Sequence, residues 1–183
     1  MKKIIILNVI VVCCLIMVGC SGSKDSSSVK KGVLDITHLT KENSVNKDKN
    51  LPISYEAPNT KTALEALPFT IVLPNKLPFK SKGFDTNSIE DQKHNKKNLL
   101  ASFSAFSSDA SERVIIAANN YNASYLTKKY KKITLNKNII GYYQGTSLSF
   151  EYKKINYNIT YANDKNPKAQ KEGLISMAKQ MIY

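Results

Sequence analysis

Beyond residue 20 the chain has no cysteine; its three thiols are Cys13, Cys14 and Cys20. A domain downstream of that point has no disulfide, no thiolate metal site and no cysteine nucleophile, and must hold together by core burial. Arginine is nearly missing, with Arg113 alone among 27 basic residues. Histidine occurs only at His38 and His94. Asp91-Gln92-Lys93-His94 holds two ligand types, but a metal site needs further donors at matched spacing, so no metal and no cofactor is expected. With 7 glycines, the chain has neither a Gly-x-Ser-x-Gly nucleophile turn nor a phosphate-binding glycine loop. Carboxylates are dispersed. Glu90-Asp91 is the one adjacent pair past residue 60, and strand neighbours point to opposite faces, so spacing yields no acid/base pair.

One long apolar run is present, at residues 4–18, preceded by Met1-Lys2-Lys3 and broken by Asn8, Cys13 and Cys14. That layout is an export signal, and the run is shorter than the ~20 residues that span a bilayer core. Met17-Val18-Gly19-Cys20 follows, then Ser21-Gly22-Ser23. These residues resemble a lipobox, with Met17 where Leu is usual. The resemblance implies cleavage between Gly19 and Cys20 and transfer of a diacylglyceryl group to the Cys20 thiol. Each buried CH₂ of such chains contributes ~0.8 kcal/mol, and two chains make a stable anchor. The expected location is the extracytoplasmic face of the cell membrane, lipid-anchored, with palmitate-type chains.

Loss of Lys2 and Lys3 lowers the formal charge from +13 to +11. A Lys-, Asn- and Ile-rich composition is also what an AT-rich genome produces, so part of the charge needs no partner. Functionally, a basic domain is drawn to anionic head groups or to anionic envelope polymers. Nucleic acid is not expected as a partner, because no aromatic-and-glycine signature accompanies the scattered lysines.

Residues 1–19 read as signal peptide and 20–59 as a lipidated, flexible linker, with Val33-Leu34-Asp35-Ile36 as a short ordered segment. Residues 60–183 read as one globular domain. Residues 60–67 predict a helix stopped by Pro68, with Thr62 and Glu65 spaced as a capping box. Residues 69–73, 84–92, 99–106, 113–119, 132–135, 139–143, 148–152 and 155–161 predict strands. In the last, Ile155, Tyr157, Ile159 and Tyr161 share one face. Asn166 and Pro167 open a helix with an apolar stripe at Leu174, Ile175, Ala178, Met181 and Ile182. The expected fold class is α+β: a single antiparallel sheet of about six or seven strands, covered by the C-terminal helix.

Several segments carry a family resemblance. They are Leu67-Pro68-Phe69-Thr70-Ile71-Val72-Leu73-Pro74, Leu77-Pro78-Phe79, Ile133-Thr134-Leu135, Gly141-Tyr142-Tyr143, Ser149-Phe150-Glu151-Tyr152, Ile155-Asn156-Tyr157 and the helix near residues 174–181. In this order they resemble a domain of unknown function found in Gram-positive lipoproteins and in the extracytoplasmic ends of some anti-sigma factors. The resemblance implies the same sheet-and-helix architecture and carries no catalytic residue. That family commonly has Gly in the turn occupied here by Lys153-Lys154.

Two functional classes stay open. One is a binding or interaction module, held at the membrane through acyl chains on Cys20, whose partner is an anionic envelope polymer or a membrane protein. Its candidate contacts are Tyr142, Tyr143, Tyr157 and Tyr161, since exposed tyrosines stack on sugars or anchor proteins. Strand tyrosines equally serve as core residues. The other class is a cell-envelope hydrolase or lyase, not readable from spacing, in which some of Glu90, Asp91, His94, Glu112 and Glu151 converge in three dimensions. A lipid-holding cavity between sheet and helix is a further possibility.

Overall fold

The strictly alternating segments set the architecture. Period-2 alternation puts every second side chain on one face of a sheet, and that face needs a cover. The computed structural model describes residues 32–42, 50–84, 86–122, 130–163 and 166–182. Gly19, Cys20 and the whole signal segment lie outside the described residues. The elements are β1 (Thr40–Lys41), β2 (Ile53–Glu56), α1 (Thr60–Ala66), β3 (Thr86–Asp91), β4 (Leu99–Phe106), β5 (Glu112–Asn119), β6 (Lys131–Thr134), β7 (Ile140–Gln144), β8 (Ser147–Tyr152), β9 (Ile155–Asn163) and α2 (Pro167–Met181). All nine strands form one sheet in the order β1-β2-β3-β4-β5-β9-β8-β7-β6, and each pair is antiparallel. The chain is therefore α+β.

The meander β6–β9 returns so that β9 inserts beside β5, and the core is made in rows across that join. Phe103, Ile116, Ile159 and Leu148 are consecutive cross-strand partners, each fully buried. Burying such a side chain contributes about 1.5–3 kcal/mol. Ile155, Tyr157, Ile159 and Tyr161 all lie on this face, as the alternation requires.

The cover is α2. Asn166 caps it by accepting from the Ala169 amide at 3.0 Å, and Pro167 occupies the first turn. Leu174, Met177, Ala178 and Met181 are buried against the sheet. The helix comes so close at Gly173 that a β-carbon there sits 2.8 Å from the Tyr161 ring. The helix–sheet contact is closed at this point. Ile175, expected in the stripe, is only partly buried, and Met177 takes its place.

Several expectations change. The strand count rises to nine because β1 and β2 come from residues read as linker. Leu34 and Tyr55 belong to the core, at 2% and 5% exposure. The Leu34 amide donates to Lys96 O at 2.8 Å, and the Asp35 amide to Ala66 O at 2.9 Å. Leu34 and the strands at residues 40–41 and 53–56 thus pack with the sheet that the sequence placed in residues 60–183. Polar surroundings and Pro52 hid these short strands, which gain stability from pairing rather than from their own pattern.

Residues 69–73 do not join the sheet. Pro68, Pro74 and Pro78 remove ladder donors, and the segment instead crosses the edge of the core. Side chains stitch it down: the Tyr157 hydroxyl accepts from the Val72 amide at 3.2 Å. Gln180 accepts from the Lys76 amide at 2.8 Å and donates back to its carbonyl at 3.1 Å. At α1 the cap is Asn59, whose Oδ1 accepts from the Thr62 amide at 2.8 Å. The Thr62–Glu65 capping box does not form; Glu65 faces Lys61 at 3.8 Å on the exposed side.

Candidate functional site

Register shows which turns share one end of the sheet. Glu90, Leu100, Asn119, Asn156 and Glu151 are successive partners across β3, β4, β5, β9 and β8. Just beyond this row lie the β3–β4 loop (residues 92–98), residues 120–122 and the Lys153-Lys154 turn. The β6–β7 turn, with Lys137, lies at the same end.

The β3–β4 loop is built from its own side chains. Asp91 is 1% exposed and turns its carboxylate under the loop. Its Oδ1 accepts from the Lys93 and Asn95 amides at 3.3 and 3.1 Å, and its Oδ2 from Lys96 at 2.7 Å. Bonds to a charged acceptor are worth about 1.5–3 kcal/mol each, enough to hold His94 and Lys96 at positive φ (54° and 58°). Asn95 Oδ1 accepts from the Lys97 and Asn98 amides. Asn120, just past the end of β5, reaches in, accepting from the Leu99 amide at 3.0 Å and donating to Lys97 O at 2.7 Å. The result is a fixed loop that presents Lys93, His94 and Lys97 to solvent. The same carboxylate acts on a core neighbour: burial pushes the Tyr55 phenol up from its ordinary value, and the Asp91 charge adds to the rise.

Beside this loop is a cleft of about 660 Å³ lined by Gln92, Lys93, Asn98, Asn120, Tyr121 and Asn122. Its amides are largely committed within the fold. Gln92 donates to Glu90 at 2.8 Å, Asn98 accepts from Asn95 at 2.9 Å, and Asn120 holds the backbone as above. A smaller cleft of about 280 Å³ lies at the same end, between Phe69, Thr70 and Val72 on one side and Tyr152, Lys153, Ile155 and Tyr157 on the other. There the Lys153 ammonium sits 5.0 Å from the Tyr152 ring centroid.

The tyrosines do not form one exposed row. Tyr157 and Tyr161 are each 1% exposed and belong to the core. Tyr157 stacks on Phe150, with centroids 5.1 Å apart. Tyr161 donates to Glu112, and Asn163 Nδ2 donates to both of them, at 2.7 Å to the carboxylate and 3.0 Å to the phenol oxygen. Burial, reinforced by the bond to Glu112, pushes the Tyr161 phenol up to about 12. These two residues are therefore withdrawn as surface contacts: an alternating strand that faces a helix hides its rings. Tyr142 and Tyr143 are half-buried on opposite faces of β7. Lys171 of α2 lies 5.5 Å from the Tyr143 centroid, and the Tyr142 partner on β8 is Ser149.

Nor do the five candidate acid/base residues meet. Glu90 and Glu151 share a row but are four strands apart, about 19 Å at normal strand spacing. Glu112 is at the far end of β5, about 24 Å along the strand from that row. Asp91 is consumed by its loop, and His94 Nε2 donates to Leu51 O at 2.7 Å. Among the described residues no group of three His, Asp or Glu is arranged to hold a metal ion, and His38 is an exposed turn residue. Also among the described residues, no helix is long and apolar enough to cross a membrane.

Sequence reasoning missed the Asp91–Asn95–Asn120 network. Its signal was present in the density of Asp and Asn around a lysine-rich loop, since these side chains cap local amides. No family model, no curated protein and no solved structure matches the chain.

Proposed function

We propose that this protein is a lipoprotein of the extracytoplasmic membrane face whose folded domain is a binding module rather than an enzyme. The observation that carries the reading is Met17-Val18-Gly19-Cys20 placed directly after a basic start and an apolar run. A thiol at that point accepts the lipid, and Gly19 lets a peptidase reach the bond before it. Acyl chains on Cys20 hold the membrane, and the domain meets an anionic envelope polymer or a membrane protein. The resemblance to the lipoprotein and anti-sigma-factor domain, resting on the motifs quoted above, fits the same reading. Dispersal of the five candidate acid/base residues favours binding over catalysis.

The test is mass spectrometry of the mature product from the native host. The expected N-terminus is Cys20 carrying a diacylglyceryl group, and Cys20→Ala is expected to stay unprocessed. A mature chain that begins elsewhere, or an unacylated Cys20, refutes the anchor. A pull-down with the anchored protein from envelope extracts then tests the module, and recovery of nothing above background counts against it.

A further inference from the structure

The described chain enters the fold at one end of the sheet, and that end differs from the other. The Leu34 amide is bonded to Lys96 O, so the segment running back to Cys20 leaves from beside the β3–β4 loop. At this end the turns at residues 92–98, 136–138 and 153–154 carry Lys93, Lys96, Lys97, Lys137, Lys153 and Lys154, with His94 and no acid. At the far end, the β4–β5 turn carries Asp109 with Glu112 and Arg113 just beyond it, and the β7–β8 turn carries no charge, while Lys80 and Lys82 precede β3 and Lys168 lies in the first turn of α2, so its cations are spread rather than gathered on turn tips.

We infer that the lysine-bearing turns rest on the anionic lipid surface to which Cys20 ties the chain; this builds on the anchor proposed above. With Cys20 in the lipid, the short span of chain to Leu34 keeps this end of the sheet within reach of the bilayer, and the turn tips are what a surface meets first. Acidic groups are present behind them. Glu90 and Glu151 sit two residues back along their strands, Glu42 lies level with Glu90 beside Ser54, Asp35 and Glu65 flank the chain's point of departure, and Asp91 is buried under the loop. Two residues of strand are about 7 Å, close to the ~8 Å Debye length at physiological salt, so at contact the set-back acids act more weakly than the tip charges without being screened out. Loop rigidity helps, because the backbone that presents Lys93 and Lys97 is already held by Asp91 and Asn95.

The experiment uses the full lipidated protein on vesicles of phosphatidylcholine alone and of phosphatidylcholine with phosphatidylglycerol. Lysine acetylation rates are read by peptide mass spectrometry. On anionic vesicles, Lys93, Lys97, Lys153 and Lys154 are expected to react several-fold more slowly than on neutral ones, with Lys80, Lys82 and Lys168 unchanged. High salt is expected to abolish the difference. Replacing Lys93, Lys97, Lys153 and Lys154 together by Gln, all at exposed positions, is expected to remove the protection of Lys137. Equal labelling on both vesicles, with the protein retained, overturns the docking and leaves the anchor standing. Failure to stay on neutral vesicles overturns the anchor and the docking with it. Protection that requires added polyglycerol phosphate rather than anionic lipid overturns membrane docking in favour of a wall polymer.

Discussion

Tyr161, near the end of β9, donates its hydroxyl to the carboxylate of Glu112, the first residue of β5. The bond closes the end of the sheet remote from the lysine-bearing turns, and it couples folding to alkaline pH. The phenol is raised from 10.0 to about 12, so its contribution is present in full below pH 10 and is lost as pH rises toward 12. Denaturant melts between those pH values are expected to show a falling stability. In Tyr161→Phe that part of the slope disappears, while stability at neutral pH drops by about 1–2 kcal/mol. An unchanged alkaline slope in the variant contradicts the assignment.

The β8–β9 turn carries a cost that the sequence declares. Lys153 and Lys154 both have positive φ, 50° and 65°. A two-residue hairpin turn of this kind favours Asn-Gly, and the left-handed conformation costs other residues about 1–2 kcal/mol each. Lys154→Gly is expected to stabilise the fold by about 1 kcal/mol, a rise of roughly 3 °C in Tm. Calorimetry showing no gain, or a loss, argues against this turn geometry.

Asp91 holds its loop through three backbone amides. Asp91→Ala strands those donors, and a loss of about 2–4 kcal/mol is expected. Hydrogen exchange locates the effect: the Asn95 and Lys96 amides are expected to accelerate far more than that of Ile116. Uniform acceleration through the sheet means the carboxylate has a different role.

Leu34 decides where the folded unit begins. It is 2% exposed and tied to Lys96, so Leu34→Ala is expected to cost about 2–5 kcal/mol by urea denaturation. A cost near zero restores residue 60 as the start of the domain.

Much of the sheet was legible because period-2 alternation is a local signal. The β9 face of Ile155, Tyr157, Ile159 and Tyr161 needed no partner to be recognised. The same holds for Asn166 and Pro167 at the start of α2. Less was legible at the prospective site. Whether a tyrosine is a core residue or a contact depends on which face the helix covers, and periodicity names the faces without saying which is hidden. Asp91 and His94 read as a polar loop with no metal, but their local tasks were not legible: one carries three loop amides and the other a backbone carbonyl.

The sequence by itself determined the absence of thiols after residue 20, the antiparallel α+β pattern and the capped C-terminal helix. Each depends on neighbours within a few residues, where covalent order and local sterics suffice. Tertiary structure alone decided that β1, β2 and Leu34 pack with the sheet, that residues 69–73 stay outside the ladder, and that Glu90, Glu112 and Glu151 lie far apart. These depend on pairings between distant residues, whose free energy comes from contacts no local pattern encodes.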